Sequence, residues 1–186
     1  MFLSVLNASL EGADLSAGWR HCGAQDADAP LGTAGIGEQG ADLIFALTRQ
    51  AQTGVTVLGC HEIKELAYPR ALRVDEVAFP VGAIAHRHTH AGSGWRHLVS
   101  GSLRIETDHG SQIIEPGTSW FEPANSPVRA VALQTEGVTR FVRCMVIPEG
   151  YVGRSTFQLE DPIDADLPRL QVTHRHFDHV FQLDAG

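Results

Sequence analysis

Residues 85–101 read AHRHTHAGSGWRHLVSG, and four of the chain's ten histidines fall inside this stretch. His86, His88 and His90 alternate with other residues. Imidazole is both the commonest metal ligand and the side chain that most readily moves a proton near neutral pH. The spacing therefore points to a metal site or to acid–base chemistry. In a strand alternate side chains share a face, so all three histidines are expected on one side. His86 and His90 would stand about 13 Å apart along an extended strand, and an adjacent pair about 6.6 Å. Metal–nitrogen bonds are only about 2 Å long, so one ion suits an adjacent pair. If Gly94 points to the same side, Arg96 and Leu98 follow it there and His97 faces away.

A second histidine motif lies in the tail. THRHFDH at 173–179 fits the H-x-H-x-D-H pattern of metallo-β-lactamase-like hydrolases. That chemistry needs further His and Asp ligands well downstream, and seven residues follow His179. The motif lacks its context. Period-two reading puts Val172, His174, His176, Asp178 and Val180 on one face, and Phe177, His179, Phe181 and Leu183 on the other. A solvated polar face or a partner contact is the expectation, with a local metal role for His174 and His176 as the alternative.

These residues must be held by strands. From residue 55 the pattern has period two. VTVLG (55–59) and ALRVDEVAF (71–79) read as strands, followed by a turn at 79–82. Short strands are expected at 84–90, 94–99, 102–107, 111–115, 118–122, 127–133 and 138–147. Gly101, His109-Gly110, Pro116-Gly117, Pro123-Ala124-Asn125 and Gly137 separate them. Regular short strands with such punctuation indicate a sandwich, barrel or jelly roll. Before this, ADLIFALTRQAQ (41–52) places Leu43, Ile44 and Leu47 on one helical stripe, which predicts a short helix. Segment 23–40 is rich in Gly, Ala and Asp and reads as loop.

Bulk properties narrow the function. At 186 residues the chain suits one domain with a proper core. A net charge of −8 without a Lys/Arg cluster argues against nucleic acid and anionic membrane as partners. Three widely spaced cysteines, Cys22, Cys60 and Cys144, argue for a reduced compartment. MFLSVLNASLEG has no basic flank and does not read as a secretory signal, so a cytoplasmic location is expected. No apolar run reaches the ~18 residues of a membrane span.

Gly82, His88-x-His90, Gly94 and Gly101, then Gly110, Pro116-Gly117 and FEPANSPV (121–128), resemble the two motifs of the cupin superfamily. The resemblance covers about residues 71–147. It implies an all-β double-stranded β-helix, or jelly-roll barrel, with its site inside. The expected organisation is an N-terminal extension (1–54) with the short helix, the cupin barrel (55–147), and a C-terminal extension (148–186) with a strand-like tail. Homodimers are common in such folds. The family's glutamate ligand falls at Gly94 and its second-motif histidine at Val128. The glycine register selects His88 and His90 as the metal pair.

Strand alternation places Trp120 and Glu122 inward with His86, His88, His90 and Arg96. Glu122 is then the candidate third ligand or a general base. One divalent metal (Fe, Mn, Ni, Co or Zn) suits such donors. Arg96 would anchor an anionic small molecule bidentately, and the alternative for it is an ion pair with Glu122. Trp120 and His86 complete the ligand wall. The first function expected is a metal-dependent enzyme, dioxygenase-like or isomerase-like, on a small organic molecule. The alternatives are a metal-free small-ligand sensor or carrier, and a purely structural domain.

Overall fold

A computed structural model describes residues 1–8, 12–23, 28–37, 40–64 and 69–182. Among the described residues fifteen strands form three antiparallel five-stranded sheets. The first sheet holds β1 (Phe2–Leu6), β2 (Leu15–His21), β3 (Gly32–Ile36), β4 (Leu43–Thr48) and β5 (Val57–Glu62), in the order β3-β2-β4-β1-β5. The second has the order β11-β8-β13-β6-β15, from β6 (Arg70–Pro80), β8 (Ser93–Ser100), β11 (Ser119–Glu122), β13 (Val138–Pro148) and β15 (Val172–Phe181). The third has the order β10-β9-β12-β7-β14, from β7 (Ile84–His90), β9 (Leu103–Thr107), β10 (Gly110–Ile114), β12 (Val128–Ala132) and β14 (Phe157–Leu159). The second and third sheets enclose the jelly-roll interior. The all-β barrel expected from the strand pattern is present, and its strands from β6 to β13 lie within two residues of the expected bounds.

The helix expected at 41–52 is absent, and β4 runs through it. All six residues of LIFALT are buried. Leu43, Phe45 and Leu47 pack toward the barrel, while Ile44 and Ala46 pack with Leu6 on the opposite face. A strand buried on both faces reads as a continuous apolar run and shows no alternation, which lets it mimic a helical stripe. The loop expected at 23–40 likewise contains β3. Residues 24–27 and 38–39 of that segment, and Leu183 of the tail, lie outside the described residues. β5 pairs with β1 and so belongs to the N-terminal sheet.

The N-terminal sheet covers the outer face of the second sheet. Leu3, Val5, Phe45 and Leu47 meet Leu72, Val74, Trp95, Val142, Cys144 and Val146 in one core. Each such side chain, fully buried, contributes about 1.5–3 kcal/mol. Glu76 points into this seam, 2% exposed. It accepts from the Trp19 indole at 2.7 Å, Gly32 N at 2.9 Å, Leu31 N, and His176 Nε2 at 2.9 Å. Burial alone would raise this carboxyl, but the bonds from His176, Trp19 and Leu31 outweigh it and hold the pKa below its usual range.

The tail faces are not those expected. A bulge between Arg175 and Phe177 shifts the register of β15 on β6. His174 stands opposite Glu76, and Phe177 opposite Val74, on the seam side. Asp178 lies opposite Arg73 and bonds it on the other side. An inserted residue reverses the alternation beyond it, so His174 and Asp178 part company.

Replacing Glu76 with alanine strands four buried donors at the seam. Glu76→Ala is expected to cost ~3 kcal/mol or more in urea denaturation, because unpaired buried donors carry their full desolvation cost. A loss below about 1 kcal/mol would show that this cluster does not hold the layers together.

Candidate functional site

The inner face of β6 presents Arg73, Asp75, Val77 and Phe79 in turn, one rung about 6.6 Å from the next. β13 matches it, with Arg143 opposite Asp75 and Phe141 opposite Val77. β8 continues with Arg96 opposite Arg143 and Leu98 opposite Phe141. One end of the interior is therefore charged and the other apolar. A cavity of about 350 Å³ spans both. Its apolar half is walled by Phe79, Ala85, Ile105, Val128, Ala130 and Phe141. Its charged half holds His88, His90, Asp75, Arg96, Arg143 and Glu122.

Of the residues singled out from sequence, His88, His90, Arg96, Trp120 and Glu122 all line this cavity. His86 is not among the lining residues. β7 is bulged there: Val128 lies opposite His88 and Ala130 opposite Ala85, so two residues of β7 face Arg129 alone. The bulge turns Ala85 and His88 to the same side and takes His86 out of the alternation. His97 bonds Ser119 Oγ at 2.8 Å and shares the outward face, as expected. His61 sits on β5 and stacks on Phe121, ring centroids 3.9 Å apart.

The sequence reading missed three side chains. Arg143 forms a two-bond pair with Asp75, both at 2.8 Å, and both residues are buried. Arg73 pairs with Asp178 through bonds of 2.6 and 2.8 Å. It also donates to Tyr151 O and Arg154 O, which fastens the C-terminal segment. The signal was available: charged residues at 73, 75 and 143 interrupt otherwise apolar strands.

The fate of the family's ligand positions follows from sterics. A Cβ built on Gly94 would lie 2.1 Å from Cys144 O, so no side chain fits there. Arg96 Nη1 donates to Gly94 O at 2.6 Å, and Arg96 Nη2 pairs with Glu122 at 2.7 Å. Burial lowers the Arg96 pKa to about 10, which leaves it charged at neutral pH. The other Glu122 oxygen accepts from Trp120 Nε1 at 2.8 Å. Val128, where the second-motif histidine would fall, offers no donor atom. Glu122 is thus engaged by Arg96 and Trp120, and among the described residues no group of three His, Cys, Asp or Glu side chains converges as a metal site.

The two histidines nonetheless converge. His88 Nδ1 lies 2.7 Å from His86 O, and a carbonyl only accepts, so Nδ1 carries the hydrogen. Burial pushes the His88 pKa down to about 4 and that of His90 well below its usual value, so both rings are neutral near pH 7. The remaining His88 lone pair, on Nε2, faces His90 Nε2 at 3.2 Å. Arg143 Nη1 lies 3.1 Å from the same His90 atom, and a guanidinium only donates. Thr156 Oγ1, 3.1 Å from His90 Nδ1, serves either tautomer. If His90 Nε2 accepts from Arg143, two lone pairs oppose each other. If it carries the hydrogen, two donors do. Either assignment leaves one mismatched contact.

Around this pair the cavity is cationic. Five arginines line it, at 73, 96, 143, 169 and 175, against two carboxylates, Asp75 and Glu122. Asp178, paired with Arg73, adds a third. The excess is notable in a chain of net charge −8. Such a pocket focuses field on small anions.

Residues 75–144 match the family model described as a cupin domain. The match coincides with strands β6 to β13, so the fold of that part of the chain is a cupin barrel. Among solved structures it is similar to a cupin domain from Bordetella pertussis, 22% identical, over 44% of this chain and 86% of that one, with a TM-score of 0.36. It is also similar to the polyketide cyclase RemF from Streptomyces resistomycificus, 20% identical, over 53% and 70%, TM-score 0.39. A third is a sugar phosphate isomerase from Silicibacter pomeroyi, 19% identical, over 40% and 49%, TM-score 0.35. No match is found among the curated proteins. Among the described residues no helix is long and apolar enough to cross a membrane.

The depressed His88 pKa links stability to pH. An unfolded histidine binds its proton near pH 6.5, whereas folded His88, set by burial and by His86 O, Glu122, Arg143 and Arg96, refuses it until about pH 4. Stability is therefore full above pH 6.5 and is lost as pH falls through that window. The wild-type melting temperature should drop more steeply between about pH 7 and about pH 4.5 than that of His88→Gln. Parallel curves would assign the proton uptake to other groups.

Proposed function

We propose that the barrel binds a small organic anion with an apolar portion, and that it does so without a resident metal. The observation that carries this reading is the composition of one cavity: an arginine-rich half joined to an apolar half. Its volume of about 350 Å³ lies at the small end of ligand pockets. The steric bar at Gly94, the apolar Val128 and the Glu122–Arg96 pair do not fit the four-ligand metal centre that the cupin resemblance implies. Arg143 brings a fixed positive charge to His90, in the region where a metal's charge would act. An anion seated there would meet Arg143, with Trp120 and the cavity's other arginines around it. The same proposal includes a homodimer and a reducing, cytoplasmic compartment, the latter supported by three unpaired cysteines.

A second reading rests on the converging Nε2 atoms. A separation of 3.2 Å suits two neighbouring ligands of one ion. The outer bonds to His86 O and Thr156 Oγ1 orient the rings as metal-binding histidines are oriented. His88 and His90 would then hold one divalent transition metal, and Glu122 would move a proton once released from Arg96. The metal would supply a Lewis acid to a dioxygenase-like or isomerase-like reaction.

Two measurements separate the readings. Thermal shift in the presence of EDTA should show several degrees of stabilisation by small arylalkanoates and none by the matching neutral amides. Stabilisation by neither would sink the first reading. Plasma mass spectrometry on tag-free protein should find well under one equivalent of Fe, Mn, Ni, Co or Zn. About one equivalent, lost in both His88→Ala and His90→Ala, would establish the second reading instead.

A further inference from the structure

Most residues that line the cavity are buried or half-buried. The exposed ones are Ser155, Arg169, Thr173 and Arg175, and they mark where the cavity meets solvent. Each of these side chains carries a hydrogen-bond donor, and two carry a fixed positive charge. None is a carboxylate, although the chain has 22 Asp and Glu against 14 Lys and Arg. All four lie outside the matched residues 75–144.

The fold brings the four together. β15 pairs with β6 so that Thr173 stands opposite Val77 and Arg175 opposite Asp75. The two share the inner face, about 6.6 Å apart. Arg175 Nη2 donates to Arg154 O at 3.0 Å, which sets it against the residue before Ser155. Arg169, in the connection between β14 and β15, lies over the Phe157 ring, 5.6 Å from its centroid. Both guanidinium groups are thus tied to the short run 154–157 that contains Ser155. Deeper in, the charges are already balanced: Arg73 by Asp178, Arg96 by Glu122, and Arg143 by Asp75. Arg175 reaches Asp178 only at 3.9 Å, and that carboxylate already accepts two bonds from Arg73 and one from Gly153 N. Among the described residues Arg169 meets the Phe157 ring and no carboxylate. The cavity's surplus of positive charge therefore sits at its opening.

We propose that this opening is a phosphate subsite. The ligand is a phosphate monoester whose head group is held by Arg169, Arg175 and the hydroxyls of Ser155 and Thr173, with its organic part inside the cavity. A monoester carries close to two negative charges at neutral pH, which matches two surplus guanidinium groups, whereas a carboxylate carries one. Its terminal oxygens are acceptors, which suits a set of donors, and guanidinium pairs with phosphate through parallel bonds. Ser155 Oγ accepts from Phe157 N at 3.2 Å, which leaves its hydrogen to donate to the ligand. This rests on the reading of the barrel as an anion chamber. It adds an anionic position at the solvent end, apart from the one beside Arg143 and supplied by the C-terminal segment.

The test is calorimetric titration of the full chain with phenyl phosphate, phenyl sulfate and phenylacetate, at about pH 7.5, above the second phosphate pKa near 6. The phosphate and sulfate esters share a shape and differ by one charge. Wild type is expected to bind the phosphate about tenfold tighter than the sulfate, the low end for a charge-assisted bond because the site is partly exposed. Arg169→Gln and Arg175→Gln should each remove most of that preference. Thr173→Val keeps a strand-favouring side chain and should weaken the phosphate while leaving phenylacetate unchanged. Arg104→Gln changes the net charge equally but does not line the cavity, and should alter none of the three affinities. If phenylacetate binds wild type and the phosphate binds no tighter than the sulfate, or if both arginine variants keep the preference, the phosphate subsite falls and the anion chamber stands. If none of the three binds wild type, both fall.

Discussion

Strand β6 carries three buried charges, and each is satisfied by a different part of the chain. Arg73 is held by Asp178 of β15 and by carbonyls of the segment after β13. Asp75 is held by Arg143 of β13. Glu76, on the opposite face, is held by the N-terminal sheet and His176. Burying a charge is affordable only when it is paired and hydrogen-bonded. The strand therefore requires its C-terminal tail on one edge and the N-terminal layer on its back. An isolated barrel would leave Glu76 with neither Trp19 nor the Leu31 and Gly32 amides. The two extensions complete the electrostatics of the central strand.

That same alternation divides the interior. Charged rungs at 73 and 75 give way to apolar rungs at 77 and 79, and β13 and β8 follow in register. The result is one cavity with two chemical ends. Histidines that a metal would hold in a four-ligand centre here meet a guanidinium, because Gly94 has no room for a ligand and Val128 has no donor. The His88–His90–Arg143 contact keeps one mismatched hydrogen bond in either tautomer of His90.

The sequence alone determined the strands from β6 to β13, because half-buried antiparallel strands alternate and their turns demand Gly, Pro and Asn. It determined the inward direction of His88, His90, Arg96, Trp120 and Glu122, since these follow from alternation within one strand or across a short turn. The alternative raised for Arg96, a pair with Glu122, is the one present. Tertiary structure decided the rest. β4 became a strand because it is covered on both faces, and nothing local in LIFALT distinguishes that from a helical stripe. Bulges in β7 and β15 turned His86 away from the cavity and separated Asp178 from His174. A bulge is a property of two paired strands, so one strand's sequence does not encode it. The partners of Arg73, Asp75 and Glu76 were decided by contacts across as many as 105 residues of chain, a separation at which residue spacing carries no information.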